Sequence, residues 1–147
     1  MLLTSHTLTG LVLSRKIHNP LLLAPAAFAS HLVMDSLPHI GHPTWDFKKL
    51  PVARSLLVVA TVDNLVALGL TIGFVIYQPH LWLQTVVGVG FATLPDLLFL
   101  LAVFRKRPIS NAFTRFHSRI QWHQSIAGGV VDAVWAVAML YLLKHGI

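Results

Sequence analysis

A chain of 147 residues, 55% of them hydrophobic and 11% charged, with a mean hydropathy of +0.70, has the size of one domain and the composition of an integral membrane protein. The net charge of +6 would suggest nucleic acid in a water-soluble protein, but here the basic residues gather between apolar runs, so membrane topology explains them and nucleic acid is not expected. Cysteine is absent, which excludes disulfides, thiolate zinc sites and cysteine nucleophiles and leaves His and Asp to hold any metal.

The first apolar run, residues 2–13, reaches the length of a membrane span only by taking in 14–19 with Arg15 and Lys16. It reads either as a first span or as a re-entrant or interfacial piece. Residues 20–37 form a second candidate span. The leucines at 21–23 and the small residues at 27–30 give it some signal-peptide character, yet cleavage there would leave His31 at a new terminus, and a retained helix is the simpler reading.

Residues 55–77 and 81–104 exceed the roughly 20 residues that a bilayer requires, and 126–143 is near the lower limit. The expectation is therefore an all-α polytopic bundle of about five transmembrane helices plus a short interfacial helix, in one integral membrane domain covering 1–147. The loop at 78–80 has no Lys or Arg, whereas 44–54 carries Lys48, Lys49 and Arg54, and 105–124 carries five basic residues. Basic loops stay cytoplasmic, which puts the N-terminus inside, in a bacterial inner (plasma) membrane, and leaves Arg15, Lys16 and Lys144 on the disfavoured side. Gly69 and Gly73 in the third span, and Gly128 with Gly129 in the fifth, permit close helix packing.

The interfacial helix is expected over 108–124. Ser110 can cap it, and Ile109, Phe113, Phe116 and Ile120 recur at helical spacing, with Arg115 and Arg119 opposite.

All five acidic residues are Asp, and Asp35, Asp63, Asp96 and Asp132 fall inside predicted spans. Counted from the helix ends at about 1.5 Å per residue, Asp63, Asp96 and Asp132 lie roughly 10–12 Å deep, Asp35 is shallower, and His31 and His6 fall near that layer. An isolated charge is costly in hydrocarbon, so one shared, cation-containing polar pocket is the economical reading. Each carboxylate alone has a blander reading as inter-helix glue, above all Asp63 and Asp132.

In the segment Ser-His-Leu-Val-Met-Asp-Ser-Leu-Pro-His-Ile-Gly-His at 30–42, His31, Asp35 and His39 recur every fourth residue and would share a helix face, except that Pro38 can end the helix before His39. Imidazole and carboxylate one turn apart suit zinc or a similar divalent ion, manganese included. Asp96 follows Pro95, whose missing N–H frees a carbonyl in the preceding turn and adds to the case for a cation there. The candidate metal ligands are thus His6, His31, Asp35, His39 and Asp96, with His42 a weaker candidate at the helix exit. Asp96 or Asp63 is the candidate general base. His117 and His123 are either surface residues or a lid, and with Arg115 and Arg119 form the candidate substrate-binding group, suited to a phosphate or other anionic headgroup.

His6-x-x-x-Gly10, His31-x-x-x-Asp35 leading into Leu-Pro-His, the Leu94-Pro95-Asp96 element and the His- and Arg-bearing stretch at 117–123 resemble the LexA-regulated inner-membrane metal-dependent hydrolases, a family similar to zinc-dependent phospholipase C proteins. The resemblance implies that His6, His31, Asp35 and His39 bind metal. The family's Pro-Asp-x-Asp-His run is not intact in this chain, so ligand order does not transfer directly. The leading expectation is a metal-dependent hydrolase at the cytoplasmic membrane face, acting on a phospholipid-like or other membrane-associated ester, with membrane lipid as its partner. The competing expectations are a small cation or proton transporter or channel using the Asp layer, and a non-catalytic membrane scaffold.

Overall fold

The computed structural model describes residues 1–40, 54–105, 112–121 and 123–146. Its helices are α1 (Leu3–Lys16), α2 (Pro20–Asp35), α3 (Arg54–Tyr77), α4 (Trp82–Phe104), α5 (Ala112–Ile120) and α6 (Gly129–His145), with one 3-10 turn at Pro79–Leu81. Two-residue strands β1 (His39–Ile40) and β2 (Gln124–Ser125) pair in parallel, His39 opposite Gln124 and Ile40 opposite Ser125. The all-α expectation holds for the described residues apart from this pair.

Local chemistry explains the helix ends. Asn19 caps α2 through the Leu21 amide at 2.9 Å, and Pro20 occupies the first turn, where a missing N–H costs nothing. The helix stops at Asp35 because Pro38 disfavours a helical Leu37 and offers no amide to continue the ladder. Gly146 closes α6 in the left-handed conformation, with φ 70°.

α1 is the hub. It packs against α2, α3, α4 and α6, and buries Ser5, His6, Thr7, Leu8, Thr9, Gly10, Leu11 and Ser14. Gly10 lies against Gly88 of α4 so closely that a Cβ on Gly10 would stand 2.8 Å from the Gly88 carbonyl oxygen. At that crossing Ser14 Oγ donates to the Gly10 and Gln84 carbonyls at 2.7 and 2.9 Å. Trp135 Nε1 of α6 donates to Thr9 Oγ1 at 2.9 Å. At the far end Arg15 donates to the Leu143 carbonyl and Lys16 to that of Gly146 at 3.1 Å. These two cations therefore bond the last carbonyls of α6.

The outside of the bundle is apolar. Leu65 and Ile76 on α3 are 63% and 75% exposed, and Val137 on α6 is 66% exposed. Among the described residues two helices are long and apolar enough to cross a membrane, Arg54–Tyr77 and Pro79–Leu98. α1, α2 and α6 have 14, 16 and 17 residues, short of the roughly 20 needed for a full crossing. Among the described residues a Cβ on Gly69 or Gly73 would meet nothing within 4 Å, so close packing at these glycines is not seen there. Gly128 instead backs onto His39, where a Cβ would stand 2.7 Å from the His39 Cα.

Candidate metal centre

Four elements deliver the polar cluster. α1 brings His6, α2 brings His31 and Asp35 one turn apart, α4 brings Asp96, and α5 brings His117. Ligand atoms of His31, Asp35, Asp96 and His117 all lie within 4.8 Å of one another. A tetrahedral ion with bonds of about 2.0–2.2 Å needs donors roughly 3.3–3.6 Å apart, so only small adjustments separate these four from a coordination shell.

Asp35 is the pivot, fully buried with its side chain at 0% exposure. Its Oδ2 faces His117 Nε2 at 2.7 Å, His31 Nε2 at 3.2 Å and Gln121 Nε2, which donates at 2.7 Å. Its Oδ1 faces His6 Nε2 at 3.1 Å and accepts from the Met1 ammonium. The His31 ring is oriented by Nδ1–H donating to the Ala92 carbonyl at 2.7 Å, which turns Nε2 toward the cluster, and in the neutral ring that nitrogen carries the lone pair. His117 Nε2 stands 3.0 Å from that nitrogen as well as 2.7 Å from Asp35. With both rings neutral, a single proton on His117 cannot satisfy both neighbours, so lone pairs then outnumber protons at this point. The group of imidazoles and carboxylates could hold a metal ion.

Asp96 completes the group from α4, one residue after Pro95. Its Oδ1 is 3.9 Å from His31 Nε2 and its Oδ2 is 3.9 Å from His6 Nε2. With 26% of its side chain exposed, it marks the open side of the centre.

Other candidates are placed differently. His39 is buried but lies past the end of α2, its Nδ1 donating to the Leu37 carbonyl at 2.8 Å and its Nε2 accepting from Gln124 at 3.3 Å. Both ring nitrogens are thereby engaged away from the four-residue group, because Pro38 breaks the helical face that would have carried His39 alongside Asp35. Burial, followed by the nearby N-terminal charge, holds the His39 pKa below its ordinary value and keeps the ring neutral. His42 lies outside the described residues.

Asp63 and Asp132 share the depth of the cluster but serve the start of α1. That helix has no capping side chain of its own. Asp63 accepts from the Leu3 and Thr4 amides at 2.6 and 3.0 Å and from Thr4 Oγ1 at 2.5 Å. Asp132 accepts from the Leu2 amide at 2.9 Å, Ser5 Oγ at 3.2 Å and the Ile40 amide at 2.8 Å. These carboxylates cap α1 from neighbouring helices, and Asp63, expected as a possible base, has both oxygens committed.

In α5 the buried face carries Thr114 and His117, while Arg115, Phe116 and Arg119 are exposed. The bonds of His117 to Asp35 and His31 fix which face turns inward, and Phe116 of the apolar stripe stays exposed. Arg115 and Arg119 lie two residues to either side of His117, about 200° around the helix, and point away from the centre. The described helix is shorter than 108–124, and Ile109 and Ser110 lie outside the described residues. His123 is exposed; its carbonyl accepts from the His39 amide at 3.3 Å. Sequence reasoning placed His117 with the substrate group and missed Gln121, whose position one turn after His117 was the available signal.

No family model, curated protein or solved structure matches the chain.

Proposed function

We propose that the chain is a membrane-embedded, metal-dependent hydrolase acting near the cytoplasmic face on a phospholipid-like or other membrane-associated ester, in line with its resemblance to the LexA-regulated inner-membrane hydrolases. The observation that carries this reading is the convergence of His31, Asp35, Asp96 and His117 from separate helices to within 4.8 Å. The apolar exterior of α3, α4 and α6 around a polar α1 supports a lipid surrounding, as in a bacterial inner membrane with the N-terminus inside.

A bound zinc or manganese ion would supply Lewis acidity and make a water molecule a competent nucleophile at neutral pH. The residues of the chain supply the rest. Asp35 anchors three imidazoles, the Ala92 carbonyl holds His31 in its ligating tautomer, and Gln121 fixes Asp35 Oδ2. Asp96, the exposed carboxylate of the group, has two roles open to it: acceptor of the proton released by water, or completion of the ligand set. Arg115 and Arg119, turned outward, attract anionic headgroups at the membrane surface.

The capping of α1 by Asp63 and Asp132 favours the scaffold reading for those two acids alone. The transporter reading needs a polar path outward, and the outer halves of α3 and α4 offer only Thr71, Gln84 and Thr85.

The test is metal content together with headgroup release from phospholipid vesicles, for wild type, His31→Ala and Asp35→Ala. The reading expects a metal-dependent activity that falls about 100-fold or more, with loss of the ion, in both variants. Unchanged metal content in both would remove the centre. Metal-dependent ion flux without ester hydrolysis would replace the enzyme with a transporter.

A further inference from the structure

His6 stands outside the four-residue group, yet its ring stacks on His31 with centroids 4.0 Å apart and planes 22° apart. Each of these two imidazoles faces one oxygen of each carboxylate. His31 Nε2 is 3.2 Å from Asp35 Oδ2 and 3.9 Å from Asp96 Oδ1. His6 Nε2 is 3.1 Å from Asp35 Oδ1 and 3.9 Å from Asp96 Oδ2. The carboxylates are therefore split between two neighbouring triplets of donors, with His117 adding a fourth donor to the first. Paired metal ions in hydrolytic sites stand about 3.5–4 Å apart, and the centroids of the two stacked rings are 4.0 Å apart.

We propose that the centre binds two divalent cations bridged by Asp35 and Asp96, the first held by His31 and His117 and the second by His6. The inference rests on the metal-site reading above and extends it from one ion to two. It assigns Asp96 to the ligand set, since both of its oxygens are then committed. The second ion has three protein donors and so keeps an open position, as catalytic ions do. The Met1 ammonium lies against the same Asp35 Oδ1, so that oxygen already faces a positive group, which the second ion would displace or adjoin.

The experiment is to purify the full chain in detergent, remove metal with chelator, titrate with Mn(II), and measure bound ions per chain together with spin coupling by electron paramagnetic resonance. The proposal expects two ions per chain and a coupled pair signal, with His6→Gln falling to one uncoupled ion and Asp96→Asn weakening the coupling while the Asp35 bridge remains. One ion in the wild type overturns the pair while leaving the single-metal centre intact. No ion overturns the metal reading itself, and two uncoupled ions place the second elsewhere. The wild-type result decides the matter even where His6→Gln fails to fold. Asp96→Asn that retains two ions with the coupling unchanged returns that residue to the proton-acceptor role and overturns its bridging assignment.

Discussion

α1 and α3 invert the usual relation between polarity and burial. Eight residues of the 14-residue α1 are buried, five of them Ser, Thr or His, while the 24-residue, strongly apolar α3 buries only Leu56 and Ala67. In water the hydrophobic effect would draw α3 inward and leave α1 at the surface. The opposite arrangement is stable where the surroundings are hydrocarbon, because there the apolar helix loses nothing by exposure and the polar one must find its partners inside. α1 finds them in Asp63, Asp132, Trp135, Asp35 and the backbone of α4.

The largest expected effect breaks the comparison from the α3 side. Leu65→Arg places a charge at the middle of the exposed face; it should cost about 2.5–3.5 kcal/mol of insertion free energy if that face meets lipid. A face in water would tolerate the change within about 0.5 kcal/mol, so a glycosylation-based insertion assay separates the two.

Glycines sharpen the contrast at the next level. Gly88→Ala would drive a Cβ against Ser14 Oγ and to 2.7 Å from the Gly10 carbonyl oxygen, and overpacking of this kind costs about 1–3 kcal/mol. Gly69→Ala on α3 enters open space and should leave thermal stability in detergent unchanged or raise it by about 0.5–1 kcal/mol. Equal losses in both variants would mean that α3 packs as tightly as α1.

Asp63→Ala removes the cap that α3 lends to α1, a loss of about 0.5–2 kcal/mol, without changing bound metal. If metal is lost while the melting temperature holds, Asp63 belongs to the centre rather than to the cap.

The smallest effect is a pH slope. His39 has its pKa lowered by burial and by the N-terminal charge, so the folded chain binds its proton less readily than the unfolded chain does. Its stabilising contribution is complete above the ordinary histidine value of about 6.5 and is lost as pH falls below it. The melting temperature should therefore drop between pH 7.5 and 5.5, and drop less in His39→Gln. An equal drop in both removes His39 as the source.

Sequence carried the depth of the centre but not its azimuth. Counting along helices placed His6, His31, Asp35, Asp96, Asp63 and Asp132 in one layer, because ionisable groups in apolar spans must share a polar place. Axial position says nothing about which side a residue faces, so the two capping acids were indistinguishable from the ligands. The Gly69-x-x-x-Gly73 spacing likewise identifies a small-residue face without naming a neighbour, and the close crossing occurs instead at Gly10 and Gly88, two glycines on different helices that no spacing within one helix can pair. Which face of α5 turns inward follows from long-range bonds of His117 to α2, which local periodicity cannot contain. The β1–β2 pair, two residues long, falls below any period that a sequence can display.

The central claim is that His31, Asp35, Asp96 and His117 form a coordination shell. Visible absorption of the metal-free protein titrated with Co(II) tests it most directly, since four- or five-coordinate nitrogen–oxygen sites give intense bands that aqueous cobalt lacks. The account predicts saturable, intense bands in the wild type that weaken in His117→Ala and vanish in Asp35→Ala; a wild-type spectrum indistinguishable from free cobalt would contradict it.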